Sequence, residues 1–401
     1  MWPLSLSQHS APPAAAPASA AMSTARALPS SSASSDYSPS ASSLSSRRSF
    51  SSVIQQQISE YARQPQKGLT LQQLLEVGVS PSPEQLLNSA RFLHRELPIR
   101  LAKRVKELES LPYGLSQMKP VIKVKEWYEE SFRELLSFPD PRTAADELAF
   151  TELLEKIYER HTDVVPTLAK GVVQMKTELG TSGTDVVNQC PFLQDFLNRF
   201  HSSRIGIRLL ISQHLAIHHP VPGYVGTVAT SISPVGVIRD AIEDARRICD
   251  REYGHAPEVD LIECVPLSNV NFVPSHLHHI IFELIKNSMR AVLEFHGVRN
   301  YDAPAIQVVL SDDEREFAIK ISDQGGGIPR KDMHRIWSYL YTTTTNKSTQ
   351  QLLDSVGSGG SSSIGQGSDA AGGHPTNAVG PQGGSEGTPM SGFGYGLPIS
   401  R

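Results

Sequence analysis

The sequence predicts an α+β protein, an N-terminal bundle of amphipathic helices followed by an α/β sandwich. Three observations carry this. Apolar residues recur at helical spacing through most of Gln55–His219. A further strongly patterned helix is expected over Pro274–Phe295. Beyond it two strand-like runs, Ala305–Leu310 and Glu316–Ser322, form a hairpin-like pair leading into a glycine loop. Helices laid over a mostly antiparallel sheet would satisfy that order. The 401 residues leave room for two domains, expected at 51–225 and 226–401.

Residues 1–50 are rich in Ser, Ala and Pro, with Arg26, Arg47 and Arg48 as basic residues and Asp36 as the acid. Such a segment cannot bury a core, and its composition suits a disordered mitochondrial presequence. Leu86, Ala90, Leu93 and Leu97 then keep helical spacing until Pro98 interrupts, and Leu101, Val105 and Leu108 resume it. Val124–Leu136, Ala144–Arg160 and Phe192–Phe200 read as further helices, the last opened by Pro191. Short connections between such helices imply a bundle. Residues 220–233 read as a loop at the boundary, and Pro234–Glu252 as a helix. Ser275 is a candidate N-cap for Pro274–Phe295. Leu277, Ile281, Leu284, Ala291 and Phe295 would form its buried face. A short helix is expected over Lys331–Leu340. Residues 346–390 are dense in Gly and Ser and should behave as a disordered, flexible insertion.

The net charge of −4, without a basic stripe, argues against nucleic acid as a partner. No apolar run is long enough to cross a membrane, so an integral membrane protein is not expected. Cys190, Cys249 and Cys264 make no metal-ligand or redox pattern.

The chemistry concentrates in Phe282-Glu283-Leu284-Ile285-Lys286-Asn287-Ser288-Met289-Arg290-Ala291. Glu283, Asn287 and Arg290 are four and three apart and share one helical face. A carboxylate there can accept a proton, an amide oxygen can bind a hard metal, and a guanidinium can meet phosphate. An exposed polar stripe would look the same. Two glycine clusters then follow, Asp323-Gln324-Gly325-Gly326-Gly327-Ile328-Pro329 and Gly392-Phe393-Gly394-Tyr395-Gly396-Leu397. Glycines let backbone N–H groups approach phosphate closely.

In this order the motifs resemble the ATP-binding (GHKL) fold of DNA gyrase, the heat-shock chaperones, bacterial histidine kinases and MutL proteins. Arg160-His161-Thr162-Asp163-Val164-Val165-Pro166-Thr167 and Ser203-Arg204-Ile205-Gly206-Ile207-Arg208-Leu209-Leu210, followed by Gln213-His214, narrow the match. They resemble the mitochondrial kinases of 2-oxo acid dehydrogenases, nearest to the pyruvate dehydrogenase kinases. Glu96-Leu97-Pro98-Ile99-Arg100 is a weaker third match.

The resemblance implies an ATP- and Mg²⁺-dependent protein-serine kinase of the mitochondrial matrix. Its substrate would be the E1 α subunit of pyruvate dehydrogenase, with docking on the E2 lipoyl domain and a homodimeric state. Glu283 would be the general base and Asn287 the Mg²⁺ ligand. His161 would approach Glu283 from the bundle side and tune its basicity. The nucleotide site would comprise the Glu283–Arg290 motif, Asp323 on the adenine amino group, Gly325 and Gly327 in the turn around the base, and Thr342 and Thr343 as lid hydroxyls. Gly392, Phe393, Gly394, Tyr395, Gly396 and Leu397 would wrap the phosphates. Tyr128, His161, Arg204 and Arg208 would line a pocket for small 2-oxo acids.

The chain departs from the family in its long 346–390 insertion and in ending at Arg401, where relatives continue with further strands. An incomplete sheet is therefore expected. The rival substrate class is the branched-chain 2-oxo acid dehydrogenase, towards which Ser89-Ala90-Arg91-Phe92 and Ser203–Arg208 lean. A catalytically impaired scaffold is a second alternative. A two-component histidine kinase, with His214, His218 or His219 as phospho-acceptor, is a third.

Overall fold

The structure, a computed structural model, describes residues 41–76, 78, 80–179, 191–230, 233–264, 271–312, 317–339 and 394–400. Helix α1 (Ala41–Ala62) starts before the expected end of the unstructured N-terminal segment, so residues 41–50 are helical. The remainder of that segment, and the 346–390 insertion, lie outside the described residues. Residues Ser51–Arg401 make one compact unit.

Local signals set the helices that follow. Thr70 with Gln73 and Ser82 with Gln85 form reciprocal capping boxes that start α2 (Leu71–Leu75) and α3 (Pro83–Glu109). Helix α4 spans Lys119–Ser137, and α5 (Ala144–Arg160) is capped by Thr143 and Asp146. They are followed by α6 (Val164–Leu179) and α7 (Pro191–Ile217). Their apolar faces close one core in which Tyr128, Phe132, Phe150, Phe196 and Phe200 are the largest buried side chains.

Pro98 does not end a helix, as the sequence pattern suggested; it lies inside α3. An interior proline costs about 3 kcal/mol. Its neighbours Leu97, Leu101, Ala102 and Val105 are all buried, and burial of such side chains contributes roughly 1.5–3 kcal/mol each for the larger ones. Packing on both sides of the proline therefore outweighs the local loss.

A small hairpin, β1 (Tyr224–Val225) and β2 (Val228–Ala229), occupies the expected boundary loop. Its turn is pinned by Gln213, whose Oε1 accepts from Thr227 N at 2.8 Å and whose Nε2 donates to Val225 O at 3.1 Å. Helix α8 (Pro234–Tyr253) is capped by Ser233 and stopped by Gly254 at φ 84°. Strand β3 (Val259–Glu263), helix α9 (Pro274–His296) and strands β4 (Ile306–Asp312) and β5 (Phe317–Ser322) complete a second core.

The sheet order is β3-β4-β5. Strand β4 pairs parallel with β3 and antiparallel with β5, so the described sheet is mixed rather than mostly antiparallel. The hairpin-like pair itself is as expected, with Val308 opposite Ile321 and Leu310 opposite Ile319. Inward residues Ile306, Val308 and Leu310 of β4 are fully buried. On β5, Phe317, Ile319 and Ile321 are half-buried and line an open apolar groove of about 470 Å³ with Leu277, Ile280 and Leu284 of α9.

Three further expectations change. Val273, not Ser275, is the N-cap of α9, because Pro274 occupies the first helical position. Phe295 is 63% exposed, and the buried face is Ile281, Ile285, Met289, Val292 and Leu293; the real stripe is rotated by one residue towards the sheet. Lys331–Leu340 is not a helix: a 3-10 turn, Arg330–Asp332, is followed by turns.

Candidate active site

Helix α9 presents Glu283 and Asn287 on one half-buried face, one turn apart. Glu283 Oε1 accepts a 2.8 Å hydrogen bond from the Lys286 ammonium, which is itself buried and lies 5.0 Å from the centroid of the Phe282 ring. This pair leaves Oε2 as the carboxylate oxygen without a lysine partner. A Cβ added at Gly396 would fall on Oε2, so the glycine is what lets the chain pass there. His279 sits one turn earlier, half-buried, with Nε2 unpartnered. Burial holds its pKa below the usual histidine range, with the Glu283 charge pulling the other way.

Asn287 is half-buried and its amide makes no hydrogen bond among the described residues, which leaves its oxygen available to a hard cation. Arg290 is not free in the same sense: its Nε donates to Glu294 Oε1 at 2.7 Å. Ile285 and Met289 are fully buried and serve the core rather than a nucleotide surface, because a continuous motif on a helix points some members inward. Leu284 faces the apolar groove.

Asp323 is held from two sides. Ser288 Oγ donates to its Oδ2 at 2.9 Å, and Gly325 N donates to its Oδ1 at 2.9 Å. Gly325 is required by close approach: a Cβ there would lie 2.5 Å from Ala291 Cβ and 2.7 Å from the Ala291 carbonyl carbon. Gly327, at φ 72°, has open space beside it. Gly394 (φ 74°) and Tyr395 lead into the short helix α10, Gly396–Ser400, which carries Leu397. Thr342, Thr343, Gly392 and Phe393 lie outside the described residues.

In the bundle, Tyr128, His161, Arg204 and Arg208 lie near one another. The rings of Tyr128 and His161 are 4.5 Å apart. Arg204 donates to the carbonyls of His161 and Thr162 at 3.2 and 3.3 Å, and Arg208 to that of Tyr158 at 3.0 Å. Burial lowers the Arg204 pKa to about 10 and raises that of Tyr128 to about 12. Tyr128 OH and Arg204 Nε are buried without a partner.

His161 is held by groups of the bundle. It is the C-cap of α5 and lies in the bundle core. Its Nε2 is 3.1 Å from Ser131 Oγ and 3.3 Å from Trp127 O, and among the described residues no hydrogen bond links it to Glu283. The Ser131 hydroxyl donates to Trp127 O, so Nε2 carries the proton and donates to Ser131. Burial lowers the His161 pKa to about 3, which keeps the ring neutral. The group that shares the Glu283 face is His279, four residues before it; the i, i+4 spacing was the available signal.

Comparison with known proteins identifies the family. Residues 68–238 match the family described as mitochondrial branched-chain alpha-ketoacid dehydrogenase kinase. Residues 272–401 match the histidine kinase-, DNA gyrase B-, and HSP90-like ATPases. The mitochondrial [pyruvate dehydrogenase (acetyl-transferring)] kinase of Arabidopsis thaliana is 40% identical over 354 residues, 88% of this chain and 87% of the relative. Human isozyme 3 of that kinase is 34% identical over 362 residues, 87% of this chain and 79% of the relative. The chain belongs to the pyruvate dehydrogenase kinase family. It is thus a mitochondrial protein kinase that uses ATP.

Within this kinase, one group of residues escaped sequence reasoning. His201 on α7 is buried between Tyr339 and Tyr395, with ring centroids 5.2 and 5.3 Å away. Both its ring nitrogens and Tyr395 OH lack partners among the described residues. Gln194 of the same helix exchanges two hydrogen bonds with the Tyr339 backbone, at 2.7 and 3.2 Å. The described residues on either side of the 340–393 stretch are therefore fastened to the bundle helix that carries Arg204. These contacts join segments far apart in sequence, which no local pattern reveals.

Proposed function

We propose that this kinase phosphorylates a serine of the E1 α subunit of mitochondrial pyruvate dehydrogenase, in the matrix, and so inactivates it. The names and extent of identity of its relatives support that substrate. The single structural observation behind the chemistry is the Glu283–Asn287 pair on one face of α9, beside an Asp323 oriented by Ser288 and Gly325.

In the proposed reaction Glu283 takes the proton of the substrate hydroxyl as its oxygen bonds to the γ-phosphorus. The bond from that phosphorus to the bridging oxygen breaks, and ADP leaves. Lys286 holds one carboxylate oxygen and leaves the other to accept the proton. His279 is a positioning residue that faces Glu283 across one helical turn. Asp323 accepts from the adenine amino group, the two donors on it fixing its plane. The free amide oxygen of Asn287 suits Mg²⁺, which when bound neutralises charge on the phosphates. Gly396 lies beside Glu283, and with Gly394 two residues before it would wrap the phosphates. Arg290, engaged by Glu294, supports the helix rather than phosphate.

In the bundle, Tyr128 OH and Arg204 Nε are buried donors without acceptors, and they suit a small 2-oxo acid carboxylate. Docking on the E2 lipoyl domain and a homodimeric state complete this reading, on family grounds alone. A branched-chain substrate is the second reading, favoured by the description of the family matched over residues 68–238.

Incubating the chain with Mg-ATP and either purified E1 protein tests both. Phosphoserine on pyruvate dehydrogenase E1 α, with loss of its activity, is the expected result. Label on the branched-chain E1 alone would transfer the assignment, and acid-labile label on the kinase itself would refute it.

A further inference from the structure

Outside the kinase site, three metal-ligating side chains converge between α5 and the end of α7. Glu147 Oε1 lies 3.3 Å from His214 Nε2 and 2.9 Å from His218 Nε2. All three atoms fall within 4.8 Å of one another. His214 is fully buried, and the Glu147 and His218 side chains are 4% and 12% exposed. The two histidines stand four apart in sequence, which places both imidazoles on one side of the chain facing α5.

Two hydroxyl groups complete the polar surround of this cluster. Thr151 Oγ1 lies 3.0 Å from Glu147 O, 3.1 Å from Glu147 Oε1, 3.0 Å from His214 Nε2 and 3.4 Å from His218 Nε2. It has one proton to offer, and each histidine Nε2 donates or accepts according to its tautomer. Ser89 Oγ sits 2.9 Å from His214 Nδ1. With the ring proton donated to Ser89, His214 turns a lone pair towards the carboxylate, and a cation satisfies the pair. Tetrahedral zinc with N and O ligands at about 2.0–2.1 Å separates its ligand atoms by about 3.3 Å. The Glu147–His214 spacing already meets this, and the Glu147–His218 spacing needs a few tenths of an ångström.

We propose that Glu147, His214 and His218 bind one divalent transition-metal ion of the zinc class, clamping α5 to the end of α7. Two imidazoles and a carboxylate select such an ion over Mg²⁺ or Ca²⁺. The burial marks the site as structural, with Thr151 or a water in the fourth position. Ser89 acts as a positioning residue that fixes the His214 tautomer. The clamped end starts next to Gln213 and runs on to the hairpin β1–β2, so metal would rigidify the passage from bundle to ATPase region.

The test uses the untagged full chain, stripped with chelator, then titrated with Co²⁺ and afterwards Zn²⁺. Expected are saturable binding of one Co²⁺ per chain, the d–d absorption of tetrahedral cobalt, its displacement by Zn²⁺, and a Tm raised by Zn²⁺. His218→Gln, at the most exposed ligand, should abolish both absorption and Tm rise. Ser89→Ala should retain the fold and weaken Co²⁺ binding by about 10–100-fold. No d–d band in the wild-type chain overturns the proposal. So does a band that survives His218→Gln, or one that is equally strong in Ser89→Ala should His218→Gln fail to fold by circular dichroism.

Discussion

Glu283 is useful because its two oxygens are not equivalent. Lys286 occupies Oε1, while Oε2 borders Gly396, where no side chain intervenes. Glu283→Gln keeps the shape and removes the proton acceptor. Turnover should fall by about 10²–10⁴, while ATP affinity, read by equilibrium dialysis or calorimetry, should remain close to wild type. Unaltered turnover would move the base elsewhere. Asn287 has a different signature. Asn287→Ala removes a hard oxygen donor that no group among the described residues engages. Affinity for Mg-ATP should fall at least about tenfold, with little change for metal-free nucleotide. Parallel titrations with and without Mg²⁺ separate the two, and equal losses would exclude a ligand role.

Helix α7 is the element that ties the molecule's functions together. Along one rod it carries Gln194 and His201 against Tyr339 and Tyr395, then Arg204 and Arg208 beside Tyr128, then Gln213 under the hairpin. Arg204→Ala should reduce inhibition by pyruvate-like acids, their inhibition constant rising about 10–100-fold, in line with about 1.5–3 kcal/mol for a charge-assisted hydrogen bond. ATP affinity should change little; inhibition assays at fixed ATP read the difference. Elements of this kind were unevenly legible in the sequence. Helix α5 runs over Ala144–Arg160 as expected, since Thr143 and Asp146 mark its start and its periodicity is clean. Helix α3 was misread at Pro98, because a local rule cannot weigh burial from neighbouring helices. Glu283, Asn287 and Asp323, the residues proposed for the site, stand out because they lie in short motifs. The partners of His161, Trp127 and Ser131, belong to another helix and leave no local signal. The Tyr339–His201–Tyr395 cluster gave no sequence signal, since three distant segments meet only in the folded chain.

Within residues 51–401 the two cores differ in what they enclose. The bundle core holds His161 and His201, both buried, with pKa values lowered to about 3 chiefly by burial. The ordinary histidine value is 6.5. A depressed folded-state pKa means that the unfolded chain binds the proton first. The stabilising difference is therefore complete above pH 6.5 and is lost as pH falls through the window down to about 3. From pH 6.5 to pH 5 each such histidine removes about 2 kcal/mol. His276, His278 and His279 on α9 are shifted in the same direction, also by burial, so the ATPase region follows the same trend. His201 gives the sharper test, because both of its nitrogens are unpartnered among the described residues and its ring packs between two tyrosines. Phenylalanine keeps that packing and cannot take up a proton. His201→Phe should therefore flatten the acid limb of stability, raising Tm at about pH 5 by about 4–8 °C. At about pH 8, where the wild-type ring is neutral in both states, the two proteins should differ much less. Thermal melts across this range decide the matter: parallel curves for wild type and variant would show that His201 carries a polar partner or a proton in the folded protein.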